Sequence, residues 1–164
     1  MKKTFLFSLL IAATTIVAGC GGVDVVNYND KIVDLANKCL TAENLMWSAI
    51  EEENYDSAKT LYTTSLETCA SVQANIAALD SYKEDGSLRD AADALLQAEI
   101  AYLQKFGDVL TYREYDELTP EQEAAYTAIQ DELSTIEAEV TVANTNFVTI
   151  QETFSTTHGY ELEE

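Results

Sequence analysis

Three cysteines are the residues of this 164-residue sequence best suited to covalent chemistry. The first, Cys20, follows a lysine-containing start, an apolar run over residues 5–17 and two small residues. That order is typical of a secretory signal peptide, and the apolar run is too short to span a bilayer as a permanent helix. We therefore expect the chain to be exported and cut close to Cys20.

The segment Val17-Ala18-Gly19-Cys20 resembles the lipobox of bacterial lipoproteins. The resemblance implies that residues 1–19 are removed and that the sulfur and the new amine of Cys20 carry acyl chains. Two or more acyl chains anchor a protein stably, so the mature chain needs no membrane helix. We expect the cell envelope, with the outer membrane first, because Gly21 is not the Asp that marks inner-membrane retention in Gram-negative sorting. The alternative is an ordinary signal peptide cut nearby, which leaves Cys20 as a free thiol.

Acidic side chains dominate the chain that remains after residue 19. Its 145 residues hold all 29 Asp and Glu but only seven Lys and Arg, a net charge of −22. Such a surface repels nucleic acid and anionic head groups. The length of the mature chain is enough for one domain with a core, and we expect that domain to be monomeric. From Glu114 to Glu164 there are thirteen carboxylates and no Lys or Arg. This part could collect cations or a basic partner, although a solvated face that keeps the protein soluble is the simpler interpretation.

The sequence offers few candidate residues for catalysis or for metal binding. Such sites in helical bundles use Glu and His that project inward, and none of the periodic apolar positions given below holds Asp, Glu or His. The single histidine, His158, lies at the expected end of a helix, where an imidazole suits the helix dipole. Glu51 to Glu53 and Asp80 to Asp85 lack the spacing of a calcium loop and are simpler to interpret as exposed helix ends. We therefore predict no enzyme activity, no metal and no other cofactor.

The elements that must position these residues are helices, because apolar residues recur every three or four positions in four stretches. One proline and six glycines also favour long helices. We predict an all-α, up-down-up-down four-helix bundle over residues 25–157, after a tether at 20–24 and before an acidic tail at 158–164; a three-helix bundle with a loose fourth segment is the alternative. The four stripes are Val25, Tyr28, Ile32, Leu35, Cys39, Ala42, Met46 and Ala49; Ala58, Tyr62, Ser65, Cys69, Val72, Ile76 and Leu79; Leu88, Ala91, Leu95, Ala98, Tyr102, Phe106 and Val109; and Tyr126, Ile129, Leu133, Ile136, Val140, Ala143, Phe147, Ile150 and Phe154.

Capping residues separate the stripes. Asp56 is predicted to cap the second helix, and Asp85-Gly86-Ser87 is a turn whose serine caps the third. Gly107 is expected to weaken the third helix. Thr119-Pro120-Glu121-Gln122 has the pattern of a capping box with proline at the first helical position. Gly159 predicts the end of the fourth helix.

The other two cysteines are predicted to form a disulfide. Cys39 and Cys69 each lie fifteen residues from Asn54, which is expected in the turn between the first two helices. Antiparallel helices of equal rise place both at one level, about 22 Å from the turn, and both fall on buried stripes. The bridge requires the helices to approach closely, which small neighbours would allow. The alternative is two free core thiols, which are less expected in an exported protein.

An aromatic group off the stripes is a possible partner-binding surface. In an up-down bundle, the first and third turns lie at the same end, away from the lipid. Tyrosine and tryptophan are favoured at interfaces, so an acidic, aromatic tip could dock an envelope protein with a basic surface, or a glycan. Side chains that simply cap the open end are the simpler interpretation. The aromatic residues concerned are Trp47, Tyr55, Tyr112 and Tyr115.

These features favour a membrane-anchored, non-enzymatic interaction or structural module. The alternative function is a carrier of a small apolar ligand, held in the bundle core between alanine-rich segments such as Ala91 to Ala101. An enzyme is a third, weaker hypothesis, since the sequence provides no recognisable catalytic group.

Four segments in one order also resemble a family of small, functionally uncharacterised bacterial surface lipoproteins. The resemblance covers most of the mature chain and implies an all-helical surface protein. Its motifs are mostly caps and core positions, so it transfers no catalytic residue, and the cysteine pair is not part of its pattern. The segments are Tyr28-Asn29-Asp30-Lys31-Ile32-Val33, Ser87-Leu88-Arg89-Asp90-Ala91-Ala92, Leu118-Thr119-Pro120-Glu121 and Ile129-Gln130-Asp131-Glu132-Leu133.

Overall fold

The computed structural model describes residues 16–17, 23–112, 115 and 117–162. Within them four helices carry the fold, so the prediction of an all-α, four-helix arrangement is confirmed. None of these helices is long and apolar enough to cross a membrane. The elements are β1 (Ile16–Val17), α1 (Val23–Glu51), α2 (Tyr55–Ala77), α3 (Ser87–Leu110), α4 (Pro120–His158) and β2 (Glu161–Leu162).

The starts of α2 and α3 differ from the predicted caps. Asn54 caps α2, and its side-chain oxygen accepts a hydrogen bond from the backbone N–H of Ser57 at 3.2 Å. The prediction of Asp56 as the cap is wrong, because Asp56 lies inside the first turn, where its charge suits the helix N-terminus. Ser87 is likewise the first residue of α3 rather than its cap. The Asp85 carboxylate accepts the N–H of Ser87 at 2.9 Å, so a side chain before the helix satisfies that donor.

Both ends of α4 are as predicted. The backbone N–H of Gln122 donates to the Thr119 hydroxyl at 3.3 Å, and the Gln122 side chain accepts the N–H of Thr119 at 2.9 Å. This reciprocal pair is the capping box, with Pro120 at the start of the helix. The helix ends at Gly159, whose φ of 74° is a left-handed conformation that glycine adopts without steric cost.

The contacts between successive helices show the relative direction of each pair. As the contacting residue of one helix moves toward the C-terminus, its partner on the next helix moves toward the N-terminus. Successive helices are therefore antiparallel neighbours. The contacts are Cys39–Cys69 and Ala42–Ser65 between α1 and α2, Tyr62–Gly107 and Gln73–Asp93 between α2 and α3, and Lys105–Glu132 between α3 and α4, together with Tyr112–Tyr126, in which Tyr112 follows the end of α3.

The first and last helices are joined by a buried polar contact. The Gln151 side chain on α4 donates to the Asn29 side chain on α1 at 2.9 Å, and both residues are buried. One turn away, the rings of Tyr28 and Phe154 lie 5.9 Å apart. A hydrogen bond between two buried amides fixes the level of α4 against α1, because any slip leaves the buried side-chain oxygen of Asn29 without its donor.

Two short strands pair the ends of the described chain. β1 is antiparallel to β2, with Ile16 opposite Leu162 and Val17 opposite Glu161. Tyr160, just before β2, is buried, and its ring lies 6.2 Å from that of Phe154. The start of the segment 158–164 therefore packs on the helical domain. Since β1 lies inside the predicted signal peptide, the strand pairing belongs to the uncleaved chain.

Candidate functional site

The candidate site begins at the bond between α1 and α2. Cys39 and Cys69 form a disulfide with their Cα atoms 4.6 Å apart, as their spacing around Asn54 predicts. Both cysteines are fully buried. One turn along, the hydroxyl of Ser65 donates to the backbone carbonyl of Ala42 at 2.8 Å. Small side chains thus let the two helices approach closely enough for a disulfide.

Glu43 lies directly against this disulfide. It follows Cys39 by one turn of α1, and only 7% of its surface is exposed. Its Oε1 atom lies 3.5 Å from Sγ of Cys39 and 3.6 Å from Sγ of Cys69. Bonded sulfur atoms have no hydrogen to donate, so neither contact stabilises a negative charge on Glu43. A carboxyl group is therefore buried beside the disulfide without a donor from it.

Glu99 is a second buried carboxyl group, on α3. It is 3% exposed, and its Oε1 atom has no hydrogen-bond partner. Tyr102, one turn further along α3, is also 3% exposed. An unpaired oxygen in a buried carboxyl group is unusual, because leaving such an atom unsatisfied costs about 1–3 kcal/mol.

The helix levels place a third carboxyl group, Glu137 on α4, at the same height in the bundle as these two. Starting from the Asn29–Gln151 hydrogen bond, fourteen residues along each antiparallel helix lead to Glu43 on α1 and to Glu137 on α4. Equal rise per residue therefore brings Glu43 and Glu137 to one level.

The contact between α3 and α4 leads to the same level. Lys105 on α3 pairs with Glu132 on α4. Glu99 lies six residues before Lys105, and Glu137 lies five residues after Glu132, so the two antiparallel helices bring Glu99 and Glu137 to nearly the same height. Glu43, Glu99, Tyr102 and Glu137 therefore share one cross-section of the bundle. We refer to these four residues as the carboxylate layer.

Burial sets the electrostatics of the carboxylate layer. Loss of solvent raises the pKa of Glu43 well above its usual range, and the nearby Glu99 carboxylate raises it further. Loss of solvent alone raises the pKa of Glu99. The pKa of Tyr102 is raised by burial, with smaller contributions from the carboxylates of Glu137, Glu43 and Glu99. The pKa of half-buried Glu137 is raised by burial too. Burial and the charge of Glu99 therefore both favour the protonated form of the Glu43 carboxyl group.

The predicted stripes hold no Asp or Glu, but the core contains two glutamates that lie beside those stripes, Glu43 and Glu99. Each predicted stripe followed one row of apolar residues, whereas the buried faces of α1 and α3 are two rows wide. The second rows also step by three and four residues, and each contains one glutamate. They are Val33, Ala36, Leu40, Glu43, Trp47 and Ile50 on α1, and Ala92, Leu96, Glu99, Leu103, Phe106 and Leu110 on α3.

The four aromatic residues predicted as a binding tip occupy different environments. Trp47 is half-buried, and its ring lies 4.4 Å from that of Phe106. Tyr112 is half-buried, with its ring 5.6 Å from that of Tyr126 on α4. Tyr55 is also half-buried, whereas Tyr115 is 53% exposed. Of the four, Tyr115 is the residue best placed to reach a partner.

His158 is held by structural contacts at the opposite end. Its Nε2 atom lies 2.9 Å from Oδ2 of Asp85, in the connection between α2 and α3. Its ring packs 4.4 Å from that of Phe154 and 5.0 Å from that of Tyr82. These contacts fasten the end of α4 to the rest of the domain.

The alanine-rich segment predicted to hold an apolar ligand is packed into the core at its start. Ala91 and Ala92 are buried among core residues. Two open depressions, with volumes of about 430 and 310 Å³, lie instead on the outer face of α1. The walls of both depressions include Asp34 and Lys38, so charged side chains border each of them.

The predicted lipidation site, Cys20, lies outside the described residues. Comparisons of the chain with protein-family models, with curated proteins and with solved structures found no match.

Proposed function

We propose that this chain is the precursor of a lipid-anchored protein of the bacterial cell envelope, with the outer membrane as its first location. Its four-helix domain acts as a non-enzymatic interaction module. The observation that carries the proposal is the buried Cys39–Cys69 disulfide, because disulfides persist in exported proteins and are rare in reducing compartments. The signal-like start and the lipobox-like segment before Cys20 agree with export.

The charge of the mature domain favours a basic partner. With a net charge of −22 after cleavage, the domain attracts cationic surfaces and repels nucleic acid. Exposed Tyr115 is close in sequence to Glu117 and to the acidic first turn of α4, where Glu121 and Glu123 lie. An exposed aromatic ring among carboxylates can bind a basic envelope protein through both stacking on cations and ion pairs.

The anchor is tested by metabolic labelling with radioactive palmitate in the host. The wild-type chain should take up label, and Cys20→Ala should take up none and remain uncut or soluble. Cys39→Ala is the matched control, since it removes a cysteine but leaves the lipobox intact, and it should be labelled like the wild type. Equal labelling of the wild type and Cys20→Ala would contradict the proposal.

The interaction surface is tested by cross-linking in intact cells. A defined cross-linked product should form with the wild type and be lost with Tyr115→Ala. Leu45→Ala is the matched control, because Leu45 is 55% exposed but lies on the middle of α1. If the product is unchanged in Tyr115→Ala, or is lost equally in both variants, the tip around Tyr115 is not the docking surface.

A further inference from the structure

The Glu43 carboxyl group contacts both sulfur atoms of the disulfide, one on its own helix α1 and one on α2. Its Oε1 atom lies 3.5 Å from Sγ of Cys39 and 3.6 Å from Sγ of Cys69. Both cysteines are fully buried and Glu43 is 7% exposed, so solvent has little access to these three atoms. The protonation of Glu43 and the redox state of the disulfide therefore act on each other directly.

The oxidised protein favours the protonated form of Glu43. Neither sulfur atom of the disulfide carries a hydrogen that it could donate to the carboxylate. Burial raises the pKa of Glu43 to about 9, and the Glu99 carboxylate contributes to that rise. Glu43 is therefore mostly neutral beside the intact disulfide at neutral pH.

Reduction changes the surroundings of Glu43 from no donor to two. Each sulfur atom gains a hydrogen, and both thiols are then donors within reach of one carboxylate oxygen. Hydrogen bonds to a carboxylate favour its charged form, so the pKa of Glu43 is lower in the reduced protein than in the oxidised protein. Between the two values, the oxidised protein holds a proton on Glu43 that the reduced protein has released.

The other ionisable groups that face Glu43 come from the two remaining helices of the carboxylate layer. They are Glu99 and Tyr102 on α3 and Glu137 on α4. Reduction of a disulfide to two neutral thiols adds no charge beside any of them. The Glu99 carboxylate opposes ionisation of Glu43 in both redox states, so it sets the pH at which the proton leaves.

We propose that the Cys39–Cys69 disulfide and Glu43 form a redox-linked proton site, in which reduction of the disulfide releases the proton held by Glu43. With an external dithiol as the reductant, the protein sulfur–sulfur bond breaks, two protein S–H bonds form, and the dithiol becomes a disulfide. Two electrons and two hydrogens come from the dithiol, and the proton of Glu43 leaves to solvent. A rising pH therefore favours the reduced form, and the bridge between α1 and α2 is a switch that acid keeps closed.

The test measures the equilibrium between the protein disulfide and dithiothreitol from about pH 5.5 to about pH 8, in the full-length Cys20→Ala chain. An equilibrium is measured rather than a rate, because an external thiol reaches the buried sulfur atoms only through local opening. Both couples exchange two electrons and two hydrogens, so the equilibrium constant changes little below the thiol pKa of about 8.5 unless another group titrates. With Glu43 present, it should rise by about threefold or more across this range, relative to Glu43→Gln.

Three variants identify the source of the proton. Glu43→Gln keeps the size of the side chain but has no proton to release, so its equilibrium constant should stay nearly constant. Glu67→Gln is the matched control, because Glu67 is exposed on α2 two residues before Cys69, and it should behave like the parent chain. Glu99→Gln removes the charge that opposes ionisation of Glu43, so the rise should remain but begin at lower pH. A purely structural role of the two glutamates would not produce this displacement.

Three results would overturn the proposal. An equilibrium constant that is independent of pH in the parent chain would show that reduction and proton release are not linked. An equal rise in Glu43→Gln would assign the released proton to another group. Circular dichroism should show that the reduced chain keeps its helices, and loss of the helical signal would mean that the thiols no longer lie against Glu43.

Discussion

Reduction of the Cys39–Cys69 disulfide should lower the free energy of unfolding by about 3.6 kcal/mol. The two cysteines are 30 residues apart in sequence. For a closed loop of this size, the chain-entropy model gives about 12 cal/mol/K of unfolded-state entropy removed by the bridge, or about 3.6 kcal/mol at room temperature. For a domain of this length, that loss corresponds to a fall in melting temperature of roughly 10 °C.

Reduction is a cleaner perturbation than mutation at this site. Replacing Cys39 and Cys69 by alanine would leave a cavity beside Glu43, which adds its own cost. Reduction keeps the sulfur atoms, and each new S–H group can donate weakly to the Glu43 carboxyl group. The measured loss should therefore be at or slightly below the entropic value.

The assay is a urea titration of oxidised and reduced protein, followed by circular dichroism and by the fluorescence of Trp47. A Cys20→Ala chain is used so that the remaining cysteines are the disulfide pair. With a slope of about 2 kcal/mol/M, the midpoint should fall by roughly 2 M urea. Equal midpoints for the two forms would refute the reasoning. So would two reactive thiols in denatured, unreduced protein purified from an oxidising compartment.

Three further predictions concern the packing of the helices. Gly107→Ala should destabilise the protein by about 1–3 kcal/mol despite alanine's better helix propensity, because the new Cβ would lie 2.7 Å from Cζ of Tyr62; Tyr62→Leu should restore much of the loss in thermal melts. Gln151→Ala should cost about 1–3 kcal/mol in urea titrations, because it leaves the buried oxygen of Asn29 unpaired. Hydrogen bonds from the first residue of α3, and then from the imidazole, lower the pKa of Asp85. The stability from Asp85 is therefore present above its unfolded pKa of about 3.9 and is lost as pH falls through the lower folded pKa, so the melting temperatures of the wild type and Asp85→Asn should converge in acid.

The helices could be predicted from the sequence because local and tertiary preferences agree along most of the chain. The step of three and four residues places all four helices, and the capping box at Thr119 to Gln122 fixes the start of α4. The start of α2 was harder, because Asn54 and Asp56 are both good caps. Only the tight turn after α1, which ends with the N–H of Asn54 bonded to the carbonyl of Ala49 at 2.9 Å, decides between them.

The carboxylate layer could not be found from a single row of apolar residues. Glu43 and Glu99 belong to second rows, and an isolated glutamate at the edge of an apolar stripe is usually a solvated side chain. Their burial depends on how far α1 and α3 turn toward each other, which is a tertiary property. A search for two parallel rows on each helix would have identified both residues, although not their shared level.

The disulfide and the carboxylate layer occupy the same part of the bundle, and this placement has a physical logic. Buried carboxyl groups disfavour the close approach of α1 and α3, since each loses hydration that the core does not replace. The covalent bond between Cys39 and Cys69 is in van der Waals contact with Glu43. It holds α1 against α2 at the level where the buried carboxyl groups make the packing of the core least favourable in free energy. The entropic gain of the bridge, about 3.6 kcal/mol, is comparable with the cost of one or two unsatisfied buried polar groups. The free energy that the disulfide contributes therefore offsets much of the cost of keeping these acids in the helical core.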